Sequence, residues 1–213
     1  MRKGTCHDTI MNAYNKGVLC GREYVNQYRQ KCQNGEIETF PTFSRCFDEK
    51  REIKFGVWSS EDRVWYEKVL PKMYDDALCV LKGPERRKIP KIVHQIWLGS
   101  LLPIKFRELR ERWIRIMGQE WKFILWDEVS IEIFGLKNIE AYESAGNYGE
   151  KSDIARYEIL YRMGGVYLDT DMEPYRSLEP IHNRFEFYAG SANTETIELN
   201  NALTASVPRH AIL

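Results

Sequence analysis

The stretch KSDIARYEILYRMGGVYLDTD, residues 151–171, decides the architecture. Lys151 to Met163 reads as the clearest helix of the chain, with Ser152 or Asp153 as its cap and Gly164-Gly165 as its terminator. Asp153, Arg156, Leu160 and Met163 recur at helical spacing, so a polar pair occupies the end of a buried stripe. Val166 to Leu168 is then a short strand. It ends in Asp169-Thr170-Asp171, which puts two carboxylates at the carboxyl edge of a strand, where open α/β sheets place their ligands.

Working towards the amino terminus, the same alternation of strand and helix signals recurs. Ile89-Pro90 opens a strand at Lys91 to Trp97, and Leu98 to Pro103 is the loop leaving its carboxyl end. Pro103 to Gly118 reads as a helix with Pro at the start and Gly as the stop. A second strand follows at Trp121 to Trp126, closed by Asp127, and mixed helix and turn run on to Gly146. On the other side of the deciding stretch, a last strand is expected near Glu186 to Ala189. The pattern predicts an α/β domain with a mainly parallel, Rossmann-like sheet and flanking helices.

Gly83-Pro84 and the charged run Glu85 to Lys88 mark a boundary. It separates a mainly helical region, residues 1–84, from the α/β domain, residues 85–213. The first region has helical patches at Thr9 to Cys20 and Glu61 to Lys82, the latter broken or restarted at Pro71. Phe40 to Trp58 is read as containing short strands. Lys+Arg and Asp+Glu both total 31. This balance provides no field to gather nucleic acid or anionic lipid from a distance. All five cysteines, Cys6, Cys20, Cys32, Cys46 and Cys79, lie early in the chain, without C-x-x-C pairing. An odd count of cysteines and the lack of a long apolar run point to a soluble, reduced, cytoplasmic protein; two disulfides with one free thiol, and a secreted effector, are the alternatives.

Chemistry concentrates in Asp169 and Asp171. Carboxylates at i and i+2 just beyond a strand turn towards one cation once the backbone leaves extended geometry. Oxygen ligands suit Mg²⁺ or Mn²⁺, which complete their shells with phosphate oxygens and water. An Asp pair in this position is also a common turn former. What distinguishes this one is Asp153 and Arg156: the short Gly-Gly connection returns the strand beside their helix, so the pair and Asp169 converge. Their structural alternative is an ion pair locking helix to sheet. His94, on the first strand without a titratable neighbour in sequence, reads as a satisfied core residue.

These residues carry a resemblance. Ser152-Asp153, Arg156, Leu160 and the run Gly164 to Asp171, together with Ile89 to Gly99 (IPKIVHQIWLG), resemble the DXD sugar-binding region of family 32 glycosyltransferases. That family includes fungal initiating mannosyltransferases and bacterial capsule-type enzymes, and the region is similar to that of the clostridial glucosylating toxins. Asn200-Asn201 and Pro208-Arg209-His210 look like the family's next segment. The resemblance, over residues 88–213, implies a GT-A-like nucleotide-diphospho-sugar transferase fold and a retaining transfer dependent on Mn²⁺ or Mg²⁺. It also implies a nucleotide-diphospho-sugar donor and a glycan, lipid-linked or protein acceptor, and no nucleic-acid partner is expected.

Residue by residue, the resemblance makes Asp171 the direct metal ligand and Asp169 a contact to metal-bound water or ribose. It gives Asp153 and Arg156 to the donor sugar, Trp97 to the nucleotide base and Tyr167 to orienting the sugar or base. Related enzymes continue past the point matching Leu213 and commonly add a metal or phosphate contact there, so the domain is expected to be incomplete at its carboxyl end. Two alternatives compete: a non-catalytic or truncated nucleotide-sugar-binding module, and a phosphatase with an aspartyl nucleophile. For the phosphatase, Glu173 stands where Thr or Val is usual.

Overall fold

A computed structural model describes residues 60–81, 83–85, 88–193 and 197–213. The readings at Thr9 to Cys20 and Phe40 to Trp58, and four of the five cysteines, lie outside them. Two compact units emerge: the chain up to Gly83 with Ser191–Leu199, and Pro84–Gly190 with Asn200–Leu213.

In the first unit, helix α1 (Ser60–Val64) runs through a π-helical turn, Trp65–Val69, into α2 (Leu70–Leu81). The break expected at Pro71 does not occur. A proline ring in a regular helix clashes with the carbonyl four residues back and removes one hydrogen bond. Here the turn before it is widened, with the Leu70 N–H donating to the Trp65 carbonyl five residues back, and the helix passes on. Cys79, on α2, is an exposed free thiol.

The second unit contains the site. Its elements are β1 (Ile92–Ile96), α3 (Ile104–Met117), β2 (Lys122–Trp126), α4 (Glu128–Phe134), α5 (Ile139–Ser144), α6 (Tyr148–Met163), β3 (Gly165–Leu168) and α7 (Glu179–His182). The chain closes with β4 (Phe187–Asn193) and β5 (Ile197–Ser206). The sheet order is β2-β1-β3-β5-β4. β1 runs parallel to both β2 and β3, whereas β5 is antiparallel to β3. The result is an α/β fold with a mixed, GT-A-like sheet, less parallel than the strand–helix alternation suggests.

Each face of the sheet has its own core. Ile96, Trp126, Ile131, Ile159, Leu160 and Tyr167 pack on one side. On the other, Val93, Trp113, Met117, Trp121, Val166 and Leu168 form the second cluster. Alternation along β1 and β3 explains the division, since successive strand residues point to opposite faces.

Helix α6 starts earlier than its sequence reads. Asn147, not Ser152 or Asp153, is the cap: its side chain accepts from the Glu150 N–H at 3.0 Å and donates to Glu150 at 2.9 Å. Gly149 in the first turn hides this start. Asp153 and Arg156 are therefore interior helical residues. At the other end the Gly164 N–H closes the last turn on Leu160 O, and Gly164 and Gly165 both take positive φ, 65° and 99°. An added Cβ would lie 2.6 Å from Pro208 Cδ at the first and 2.6 Å from Ile92 O at the second. Only glycine permits so abrupt a return to the sheet.

Candidate active site

The backbone of the Asp-Thr-Asp segment is fixed first. The Asp169 N–H donates to Ala202 O on β5 at 2.8 Å, and the Met172 N–H returns to Asp169 O at 3.2 Å. This is a four-residue turn with Thr170 and Asp171 at its centre. Trp113 of α3 pins its far end by donating to Met172 O at 2.8 Å. The turn-forming and ligand-presenting readings of the Asp pair are thus compatible. Thr170 turns inward and is buried, while Asp171 is exposed, with no hydrogen bond or ion pair among the described residues.

Asp169 is in a different environment. Its Oδ1 accepts from the Tyr167 hydroxyl at 2.8 Å and lies 3.4 Å from Arg156 Nη2. Burial, aided by the nearby charges of Asp171 and Asp153, holds its carboxyl above the ordinary range, against the pull of Arg156 and Tyr167. Added positive charge at this point would favour the carboxylate.

Arg156 organises the cluster. It is 5% exposed. Its Nε donates to Ser152 O at 3.4 Å, its Nη1 to Asn201 O at 2.9 Å, and its Nη2 reaches Asp153 at 2.9 Å as well as Asp169. The guanidinium also lies over the Tyr167 ring, 4.2 Å from its centroid. Of its five N–H donors at most one is left for a ligand. Asp153 shares its Oδ1 between Arg156 and the Asn201 side-chain amide, the latter at 2.9 Å, yet its side chain is 48% exposed.

Sequence reading singled out Asp153, Arg156, Tyr167 and Asp169, and these four are brought together. Two differ from the expected position. Tyr167 is 1% exposed, with its hydroxyl on Asp169 and its ring under Arg156, so it supports the site from below instead of lining it. Arg156 is likewise in the layer beneath. Asn201 belongs to the cluster without having been assigned a role in it. Its signal was only the Asn200-Asn201 pair, in a segment too polar to read as a central strand.

Trp97 leaves the end of β1 half-buried, its ring 5.2 Å from that of Phe106 and its Nε1 donating to Ser100 at 3.2 Å. The pair His94–Tyr167 fixes the register of β1 on β3, so Trp97 leaves the sheet on the level of Thr170, at the same carboxyl edge. His94 is fully buried. Its Nε2 faces the Gly164 carbonyl at 2.9 Å and its Nδ1 faces the Trp126 N–H at 3.1 Å. A carbonyl can only accept and an indole N–H can only donate, so the neutral tautomer protonated on Nε2 is the one that satisfies both. Burial takes its pKa down to about 4. It is a core residue.

No group of three or more His, Cys, Asp or Glu side chains poised for a metal occurs among the described residues. A cation here would therefore have two protein carboxylates, Asp171 and Asp169, and would fill the rest of its shell elsewhere. That donor set fits Mg²⁺ or Mn²⁺ shared with phosphate oxygens, and does not fit a closed structural site.

With this geometry in hand, comparison with known proteins is specific. Residues 103–188 match the family model for the glycosyltransferase sugar-binding region containing DXD motif. The chain is 33% identical over 135 residues to inositol phosphoceramide mannosyltransferase 1 of Schizosaccharomyces pombe, covering 61% of this chain and 42% of that protein. It is 33% identical over 131 residues to mannosyl phosphorylinositol ceramide synthase SUR1 of Saccharomyces cerevisiae, covering 60% and 33%. An uncharacterized glycosyltransferase of Acanthamoeba polyphaga mimivirus is 33% identical over 133 residues, covering 58% and 52%. The chain thus spans about a third to a half of the length of these relatives. Residues 103–188 are thus similar to the DXD-containing sugar-binding region of glycosyltransferases.

Proposed function

We propose that this region binds a nucleotide-diphospho-sugar together with Mn²⁺ or Mg²⁺, and that the protein transfers the sugar, with retention of configuration, to a hydroxyl acceptor. The observation that carries the reading is the contrast within the Asp pair: Asp171 exposed and uncommitted on a rigid turn, and Asp169 behind it, held by Arg156 and Tyr167. A bound cation would rest on Asp171, with Asp169 facing it directly or through water, and would neutralise charge gathering on the diphosphate leaving group.

In this reading the chain's own residues divide the work. Asp153 uses its free oxygen to accept from sugar hydroxyls. Arg156 and Tyr167 are positioning residues that hold Asp153 and Asp169 at a fixed separation, which spares the reorganisation cost when charge develops. Trp97 offers a half-exposed ring to the base. Retention rests on the family resemblance, and the relatives' names support mannose as the sugar and a lipid-borne inositol group as the acceptor. An aspartyl-nucleophile phosphatase fits less well, because the first Asp of the pair is half-buried and already ion-paired with Arg156.

The test is binding and hydrolysis of GDP- and UDP-sugars with and without Mn²⁺. A matching donor raises the melting temperature only when Mn²⁺ is present, since a ligand of the native state alone stabilises it. Asp171→Ala should abolish that rise and leave the unliganded melting temperature unchanged. A metal-independent rise, or a full rise in Asp171→Ala, would contradict the assignment. Donor binding without any turnover would leave the non-catalytic module as the better description.

A further inference from the structure

The loop between β1 and α3 exposes apolar side chains that serve neither core. Leu101 is 89% exposed and Ile104 is 70% exposed, and both stand in the run Leu101-Leu102-Pro103-Ile104-Lys105-Phe106-Arg107. This run holds two cations and no anion. Lys105 lies over the Phe106 ring at 4.4 Å, and Arg107 reaches Leu102 O at 3.5 Å; both side chains belong to exposed residues. Glu108 is the first acid after it.

The loop is held firmly. Gly99, at φ 84°, donates its N–H to Glu128 at 2.5 Å. The ring of Tyr148 packs so closely on Gly99 that an added Cβ would lie 2.3 Å from it, yet Tyr148 is 56% exposed. Exposed leucine and isoleucine next to lysine and arginine, with a half-exposed tyrosine packed on the same loop at Gly99, make the combination that settles at a lipid–water interface. The loop also leaves the same carboxyl edge of the sheet as Asp169 and Asp171, one strand away.

We infer that residues 101–107 dock this edge of the domain on an anionic membrane surface, so that the site meets an acceptor carried in the membrane. The apolar pair enters the headgroup layer while Lys105 and Arg107 pair with anionic headgroups. The inference deepens the proposed function by fixing where the acceptor is presented, and rests on that reading for its purpose. The docking itself is measurable without any donor.

The experiment is co-sedimentation of the full chain with vesicles of phosphatidylcholine alone or mixed with phosphatidylinositol. The protein is expected to partition onto the mixed vesicles and weakly onto the neutral ones. Leu101→Ser with Ile104→Ser should lower the partition constant about tenfold, and Lys105→Glu with Arg107→Glu should remove the preference for phosphatidylinositol. Donor hydrolysis in the absence of vesicles should be unchanged in the serine pair, because neither side chain belongs to the site or the core. The inference is overturned if the wild type ignores both vesicles, or if the serine pair partitions like the wild type. It is equally overturned if the serine pair instead disperses a dimer seen by sedimentation velocity, which would make the patch a contact between copies. Loss of hydrolysis in every variant and the wild type, with partition intact, would count against the proposed function alone.

Discussion

Asp153 and Arg156 are a helical turn apart and ion-paired, yet their different exposure predicts different consequences when each is changed. Asp153 has one oxygen facing outward, so Asp153→Asn is expected to weaken the intact nucleotide sugar by about 1–3 kcal/mol and to leave the bare nucleoside diphosphate with Mn²⁺ nearly unaffected. Calorimetry with both ligands checks this: equal losses would make Asp153 structural. Arg156 holds Asp153, Asp169 and the Asn201 carbonyl from within the protein. Arg156→Lys keeps the charge but cannot span three partners, so it should cost about 3 kcal/mol of folding stability and weaken both ligands together. The sequence made the pairing of these residues legible, because helical spacing fixes which side chains share a face. It did not show that the guanidinium was already consumed, since Asn201 comes from a strand 45 residues away.

At the level of elements, the α6–β3 connection is the most demanding join in the domain. Gly118 and Gly165 provide an internal comparison: both have positive φ, 84° and 99°, but an added Cβ at Gly118 meets nothing within 4 Å, whereas at Gly165 it meets Ile92 O at 2.6 Å. Gly118→Ala should therefore cost about 1 kcal/mol from backbone strain alone. Gly165→Ala should cost about 3 kcal/mol or more, because β3 must also move away from β1. Urea unfolding of the two variants measures the difference, and equal losses would mean that the close approach of the strands is unimportant. The helix, the Gly-Gly return and β3 were readable because apolar spacing and glycine punctuation are local signals. β5 was not: Ile-Glu-Leu-Asn-Asn-Ala-Leu-Thr-Ala-Ser has few β-branched or aromatic residues, and its place is fixed by the antiparallel ladder Gly165–Ser206 to Leu168–Leu203. Strand pairing of this kind is tertiary, so the preference for a parallel sheet read from the strand–helix alternation was only partly right.

Across the whole α/β domain, the two-layered arrangement around one sheet was legible, while the polar groups buried in each layer were harder to find. His94 could be read as a core residue, but nothing local marked His182, whose Nε2 faces Ile89 O at 3.0 Å and whose Nδ1 faces the Tyr188 hydroxyl at 3.1 Å. His94 contacts Trp126 on one face of the sheet, and His182 packs against Trp121 on the other, with ring centroids 4.4 Å apart. Burial lowers the pKa of each to about 4. An unfolded histidine titrates at about 6.5, so between these values the unfolded chain binds protons that the native protein refuses. Stability is then fully present above pH about 6.5 and is lost as the pH falls towards 4. Each histidine contributes about 3 kcal/mol over the whole window, with a slope of up to about 1.4 kcal/mol per pH unit. Asp169 acts in the opposite sense, since its raised pKa favours the native state at lower pH, but it is one group against two. The expected outcome is a urea midpoint that drops steeply between pH 6.5 and 4.5. His94→Gln should be less stable at neutral pH, having lost its paired contacts, and should show about half the slope. A midpoint independent of pH in the wild type, or an unchanged slope in His94→Gln, would show that these imidazoles are protonated without unfolding and that the sheet's two cores admit charge.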